Sequence, residues 1–406
     1  MILEDNKMTF IDLFAGCGGL SEGFYRQGFE ALAHVEIDHY ACKTLKSRMR
    51  HYKYNNVEDA VLEMDITNDN ITERIAASVK GNEVDLIIGG PPCQSFSSLG
   101  RARDEHGMIY DSRNYLFESY VKILNFFNPK FFVFENVSGI LTAKLNGRKH
   151  IDTIMDSLGI KYKVTKDPKF LILNAVNYGV PQIRKRVIIL GIRKDIDLSP
   201  AELYNGIIKT HYNPEMPESE RQGLKKFVTV SEAIGDLPKL KAGEGRELHA
   251  FKSNSTSEFV KLMRTNGSEA LHNHVARTHN KRDIERYIEM AKNHWTYQEL
   301  LENRPDLDHI KKRVFNNSYV VQWEDLPSRT IIAHLYKDGN QFIHPDFTQG
   351  RTITVREAAR LMSFPDNFIF EGSRTEQFKQ VGNAVPPLFA EAIAKSIKNN
   401  LLKLKK

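Results

Sequence analysis

The sequence predicts an α/β protein, a doubly wound and largely parallel sheet joined to a second, irregular domain. Three observations predict it. Short apolar runs alternate with longer amphipathic stretches from Met8 to about Arg193. A glycine-rich turn follows the first of those runs, and the alternation stops after Pro200.

The runs MTFIDLF, ALAHVEI, VDLIIGG, KFFVFENV and RVIILGI are rich in β-branched and aromatic residues and read as buried strands. Helices are predicted between them, at Leu20–Gln27 and Tyr115–Phe127. Strand–helix alternation implies a parallel sheet covered by helices, with ligands at the carboxyl ends of its strands. From Pro200 to about Pro345 prolines and charges are scattered, and helices are predicted only around 281–293 and 297–302. TVREAARLMSF then has helical spacing and is stopped by Pro365, and 391–406 reads as a basic amphipathic helix. The expected domains are therefore 1–198, which holds the chemistry, 199–350, and a returning segment 351–406. No internal repeat or low-complexity tract is visible.

Composition narrows the function. Of 406 residues 41% are hydrophobic and 27% charged, which excludes a disordered chain. A net charge of +6 suits a polyanionic partner. Cys17, Cys42 and Cys93 form no CxxC pair, which argues against a disulfide scaffold and a cysteine-rich zinc site; a reducing cytoplasm is the expected setting. Neither a secretory signal nor a membrane-spanning run is seen.

DLFAGCGGL follows the first strand and opens a helix, so Gly16, Gly18 and Gly19 let the backbone approach a ligand at a helix N-terminus. The dinucleotide fingerprint would want Gly or Ala at position 21, where Ser21 stands. Glu36 ends the next strand, twenty residues after Gly16, where a carboxylate can accept from both hydroxyls of a ribose. Asp65, in EMDI, could accept from an adenine amino group. Together they favour a nucleoside-bearing cofactor; singly, each could be a solvated strand-end acid.

GGPPCQSFS carries the most information. Gly-Gly-Pro-Pro gives Cys93 a rigid, exposed presentation at a strand's carboxyl end, whereas Cys17 and Cys42 fit small buried hydrophobes. Glu135, after FFVF, is expected to be poorly solvated and able to donate a proton at neutral pH. In PQIRKRVIIL, strand alternation puts Arg184 and Arg186 on one face, beside the thiol and the carboxyl. There they could lower the thiol's pKa or bind a base carbonyl or a phosphate. His272, His274 and His279 in LHNHVARTHNKR carry no cysteine or metal-loop context, so no metal site is expected.

In order, DLFAGCGG, HVEID, GGPPCQSFS, DSRNYLF, FENV, QIRKRV, TVREAARLMSFPD and GNAVPP resemble the motif series of the C5-cytosine DNA methyltransferases of bacterial restriction–modification systems. The likeness covers roughly residues 9–193 and 351–395. It implies the S-adenosylmethionine-dependent methyltransferase fold, with a target-recognition domain at 199–350. It further implies that S-adenosylmethionine lies against the glycine loop, lined by Phe14, Gly16, Cys17, Gly18, Glu36, Ile37, Asp65, Ile66, Pro91 and Leu116, with Asn383 closing the pocket. Cys17 stands at a variable position of that loop and is given no catalytic role. The resemblance implies a cytosine flipped out of duplex DNA, Cys93 as nucleophile, Glu135 at ring nitrogen 3, Arg186 on the base carbonyl and Arg184 in support. The segment 94–112 would close over the base, with Gln94, Ser97, Arg101, Arg103 and Arg113 as DNA contacts. A monomer acting on double-stranded DNA, with a separately encoded restriction endonuclease as companion, is the implied setting.

Three rivals are weighed. The transfer-RNA branch of the same family has a reduced recognition region, unlike the long stretch here between QIRKRV and TVREAAR. A nicotinamide-dependent oxidoreductase has no use for GGPPCQ. A catalytically dead relative would have lost Cys93, Glu135 or the arginines, and all are present.

Overall fold

The apolar runs become strands because their side chains fit a pleated surface buried on both faces. In the computed structural model, which describes residues 7–92, 115–145, 147–252, 254–264, 270–308 and 318–404, they form the centre of the fold. The strands are Thr9–Leu13 (β1), Glu30–Glu36 (β2), Val61–Glu63 (β3), Leu86–Gly89 (β4), Phe131–Val137 (β5), Tyr162–Lys163 (β6), Ile172–Asn174 (β7) and Lys185–Arg193 (β8). Between them run Gly19–Arg26 (α1), His39–His51 (α2), Ile71–Val79 (α3), Leu116–Phe127 (α4) and His150–Leu158 (α5), and Pro200–Asn205 (α6) follows β8. Among the described residues the sheet has eight strands in the order β3-β2-β1-β4-β5-β8-β6, with β7 also on β8. Phe10, Ile11, Leu86, Ile87, Ile88, Phe131–Phe134 and Val187–Leu190 are fully buried within it.

Two features of this topology position the site. β1 has β2 on one side and β4 on the other, all parallel, so the chain reverses its direction of travel across the sheet at β1. That is the switch point at which open α/β sheets bind ligands. Leu13, Gly89 and Phe134 lie side by side, which aligns the carboxyl ends of β1, β4 and β5. β8 is antiparallel to β5, with Arg186 opposite Val137 and Ile188 opposite Glu135. The start of β8 therefore meets the end of β5.

The chain folds into two compact units. The first comprises Met1–Ala175, Lys185–Ile208 and Pro387–Lys406, the second Val176–Arg184 and Lys209–Pro386. The expected boundary at 198 thus moves to 208. α6 is held to the sheet by Tyr204, whose hydroxyl donates to the Ile188 carbonyl (2.7 Å) and accepts from the Leu190 amide (3.0 Å).

In the second unit Gly245–Ala250 (β9) and Ala270–Val275 (β10) make an antiparallel strand pair that sequence pattern did not announce, because most of β9 is solvent-facing. Lys281–Asn293 (α7) and Tyr297–Asn303 (α8) cover a core of Tyr287, Met290, Leu300, Tyr319 and Ile343. Val355–Leu361 (α9) and Arg374–Asn383 (α10) follow. Residues 351–386 therefore belong to the second unit, and only Pro387–Leu404 (α11) returns to the first. There α11 lies against α1 so closely that a Cβ on Gly23 would stand 2.3 Å from the Glu391 amide nitrogen.

Candidate active site

The loop after β1 turns through left-handed backbone at Phe14 (φ 58°), Gly16 (φ 54°) and Gly18 (φ 88°) before α1 begins. One of its amides, that of Gly16, serves Glu36 at the end of β2, beside two amides that follow Glu36 itself. The Glu36 carboxylate accepts from Gly16 N (2.7 Å), Ile37 N (2.9 Å) and Asp38 N (2.8 Å). Burial pushes this carboxyl above its usual range, and the three amides oppose that shift. Beside it Ile37 is 66% exposed, an apolar side chain left in water at a strand end. Asp65, just past β3, is exposed, and one of its oxygens is held by the amide and hydroxyl of Thr67 (2.8 and 2.7 Å). Ile66 is buried behind it. A carboxylate steadied by amides, an exposed apolar neighbour and a second carboxylate suit a ribose and a purine.

Ser21 has a role that its place in the sequence did not disclose. Its hydroxyl meets the Asp12 carboxyl at 2.5 Å, and both residues are buried beneath the loop. Desolvation pushes Asp12 up to about 8, so a neutral acid braces β1 to α1 at neutral pH. Cys17 and Cys42 are buried thiols that burial pushes up to about 12; neither is a thiolate.

At the next two strand ends the glycines of GGPP are needed for space. A Cβ on Gly89 would fall 2.4 Å from the Leu13 carbonyl, and one on Gly90 would fall 2.7 Å from Glu135 Oε2. Gly90 therefore makes room for the Glu135 carboxylate directly ahead of the two prolines. Arg186 closes the other side, its Nε 3.0 Å from Glu135 Oε1, with both side chains largely buried. Burial draws the Arg186 guanidinium below its ordinary value and Glu135 pulls it back. Glu135 is thus held in an ion pair with Arg186. Asn136, also buried, donates to the Pro91 carbonyl (3.1 Å) and accepts from the Val137 amide (2.8 Å), tying the proline segment to β5. The sequence reading passed over Asn136. An amide in a run of buried apolar residues must find partners, and that was the available signal.

The structure corrects the placing of Arg184. It precedes β8, belongs to the second unit and is 2% exposed. Its guanidinium donates to the carbonyls of Ile331 (2.6 Å), Gly382 (3.2 Å) and Ala384 (2.9 Å). Committed to carbonyls there, it is no twin of Arg186. Pro91 is buried and Leu116 half-buried at the start of α4. Asn383 ends α10 in the second unit, exposed. Cys93, Gln94, Ser97, Arg101, Arg103 and Arg113 lie outside the described residues.

The 271–282 cluster is built into the second unit. His274 is buried between the Thr354 hydroxyl (3.0 Å) and the Pro238 carbonyl (2.9 Å), and His279 lies near Thr352 Oγ1 (3.1 Å). Among the described residues no group of three His, Cys, Asp or Glu side chains could hold a metal ion.

Comparison with known proteins agrees with this geometry. The family model for the C-5 cytosine-specific DNA methylase matches residues 8–399. A Type II methyltransferase of Bacillus paralicheniformis, M.Bpa9945I, is 36% identical, the match covering 97% of this chain and 99% of that protein. M.DdeI of Desulfomicrobium norvegicum, also a Type II methyltransferase, is 37% identical over 96% of this chain and 88% of its own. A crystal structure of a candidate DNA modification methyltransferase from an E. coli prophage superposes with a TM-score of 0.69 at 27% identity, covering 98% of this chain and all of that one.

Proposed function

The chain belongs to the C-5 cytosine-specific DNA methylase family, and from that premise we propose that it methylates a flipped-out cytosine of duplex DNA through a covalent bond from Cys93. It is a DNA (cytosine-5-)-methyltransferase, similar across its length to Type II enzymes of restriction–modification systems. The observation that carries the mechanism is the Glu135–Arg186 pair, fitted against Gly90, which stands three residues ahead of Cys93 in the sequence.

S-adenosylmethionine, when bound, supplies an electrophilic methyl group. The residues present fit it: Glu36 for the ribose hydroxyls, Ile37 and Ile66 for the adenine faces, Asp65 for the adenine amine, and the Phe14–Gly18 turn for the remainder. Pro91 and Leu116 complete that wall, and Asn383 is proposed to close it.

Carbon 5 of cytosine is a weak nucleophile. Attack of the Cys93 thiolate forms a sulfur–carbon bond at carbon 6 and moves the ring's π electrons toward carbon 5. Glu135 holds or protonates ring nitrogen 3, which stabilises the enamine so formed, while Arg186 orients Glu135 and faces the base carbonyl. Carbon 5 accepts the methyl group and then loses its proton. Those electrons re-form the ring double bond, the sulfur–carbon bond breaks, and Cys93 is regenerated. The second unit, including Arg184 as a residue that braces it, is proposed to recognise the target. Gln94, Ser97, Arg101, Arg103 and Arg113 are proposed to close on the DNA backbone. A monomer with a separately encoded restriction endonuclease completes this reading.

A fluorine at carbon 5 cannot leave as a proton does. A duplex carrying 5-fluorocytosine, incubated with the protein and S-adenosylmethionine, should therefore give a denaturant-stable complex attached at Cys93. Cys93→Ala should prevent its formation while sparing cofactor binding, and Glu135→Gln should slow methylation severely. An enzyme that methylates DNA but forms no trapped complex would remove Cys93 from the mechanism. Methyl transfer to transfer RNA alone would overturn the choice of substrate.

A further inference from the structure

Beyond β5 the chain makes a small basic hairpin. Lys144–Leu145 and Arg148–Lys149 pair antiparallel, with Lys144 directly opposite Lys149 and Leu145 opposite Arg148. Gly147 (φ 80°) turns the chain, and the His150 amide extends the ladder to the Ala143 carbonyl (2.9 Å). Like charges directly opposite on a hairpin destabilise it. Lys144 and Lys149 are nonetheless both exposed, and neither has a carboxylate partner among the described residues. Asp156, one turn from the end of α5, is already shared by Arg148 and Lys166. The other acid of that helix, Asp152, lies in its first turn. Lys144 and Lys149 therefore present two exposed ammonium groups beside the Arg148–Asp156 pair.

Topology fixes where this patch lies. β5 ends at Val137, a short 3-10 turn follows at Ser138–Leu141, and α5 starts directly after the hairpin. α5 then runs back to β6, so the hairpin stands at the carboxyl edge of the sheet, the edge that carries Glu135. Its base is seated by His150, whose ring meets Phe117 edge-on at 5.4 Å in the first turn of α4.

We infer that the 144–149 hairpin is a phosphate-binding element that grips the DNA backbone flanking the target cytosine, with Lys144 and Lys149 as its two contacts. An anion between two opposed ammonium groups removes the repulsion that the free hairpin bears. A rigid hairpin rooted in the catalytic unit would fix the duplex relative to Glu135, whatever base sequence the second unit reads. The inference rests on the reading that duplex DNA approaches this edge.

Salt dependence tests it. Each phosphate contact releases counterions and contributes about 0.9 to the slope of log affinity against log salt. Lys144→Gln/Lys149→Gln should make that slope shallower by about 1.8 and weaken duplex binding by roughly tenfold or more near physiological salt. The KM for DNA should rise, with a smaller change in kcat at saturating DNA. Lys7→Gln/Lys80→Gln removes the same charge from two exposed sites at the opposite edge of the sheet, before β1 and after α3, and should leave the slope as it is. Equal shifts in both double variants would reduce the effect to net charge and overturn the proposal. So would an unchanged slope in the first variant while the wild-type protein methylates DNA. A wild-type protein that neither binds nor methylates DNA would overturn the underlying reading instead.

Discussion

At the scale of single residues the site is built by groups placed in unfavourable surroundings. Asp12 shows this most clearly. It is 1% exposed, and its carboxyl is raised from an ordinary value near 3.8 to about 8. Cys17, Tyr25, Tyr120 and Glu36 are the titratable groups that feel its charge or impose theirs on it. The folded state therefore keeps a proton that the unfolded chain gives up, so stability falls as pH rises from about 4 to about 8. Asp12→Asn should remove that slope. Thermal unfolding followed across this range should show the variant level with the wild type near pH 4 and more stable above about pH 8, by on the order of a few kcal/mol. A parallel pH profile for the two proteins would mean that Asp12 is ionised in the folded state. Gly90 is the converse case, a residue chosen for what it lacks, since a methyl group there would displace Glu135.

At the scale of elements, α9 shows what a helix can be asked to bury. Thr354 and Glu357 form a capping box, and Arg356 and Arg360 then project from the helix into the second unit with no exposure. Arg356 donates to the carbonyls of His272, Pro365 and Phe368 at 2.8, 3.1 and 2.7 Å. Arg360 grips Asp366 through two nitrogens (2.5 and 2.7 Å) and reaches Asp236 at 3.0 Å. Each arginine replaces its lost hydration with carbonyls or carboxylates, so neither can be removed alone. Arg360→Ala should leave Asp236 without this cation and Asp366 with Arg264 (3.1 Å) in place of a two-nitrogen grip, and cost about 3–5 kcal/mol. Arg360→Lys should recover only part of that, because an ammonium cannot make the paired contact. An unchanged denaturation midpoint for Arg360→Ala would show that the pair is not needed for folding.

At the scale of the whole chain, the first unit is closed by its last helix. α11 rests on α1 at Gly23, and Glu391 reaches Gln27 (3.0 Å) and Arg26 (3.3 Å) across more than 360 residues of sequence. α1 also carries the buried Glu22, which Arg48 of α2 clasps at 2.7 Å through two nitrogens. The helix that follows the glycine-rich loop is thus set between α2 and α11. Gly23→Val should force α1 and α11 apart, lowering stability by about 1–3 kcal/mol, as overpacking does. It should also weaken S-adenosylmethionine binding, measurable by calorimetry, without touching any group that faces the cofactor. Full cofactor affinity in this variant would show that α11 has no part in shaping the loop.

How much of this was legible in advance depended on whether the signal was local. The alternating apolar runs located the five long strands to within about two residues, because burial on both faces leaves a pattern within each segment. GGPP and FENV marked the carboxyl ends of β4 and β5. The 245–275 strand pair was not legible, since its exposed strand keeps no apolar alternation. Nor was Arg184's role, because its partners lie more than 140 residues away along the chain. The sequence by itself therefore determined the family and the sheet, both of which reside in short local segments. Only the tertiary structure decided that Arg186, and not Arg184, pairs with Glu135, that Ser21 and Asp12 brace the loop, and that 351–386 belongs to the second unit. Those outcomes depend on which distant carbonyl or carboxylate each polar group meets when it loses water, and the order of residues along a chain does not state that.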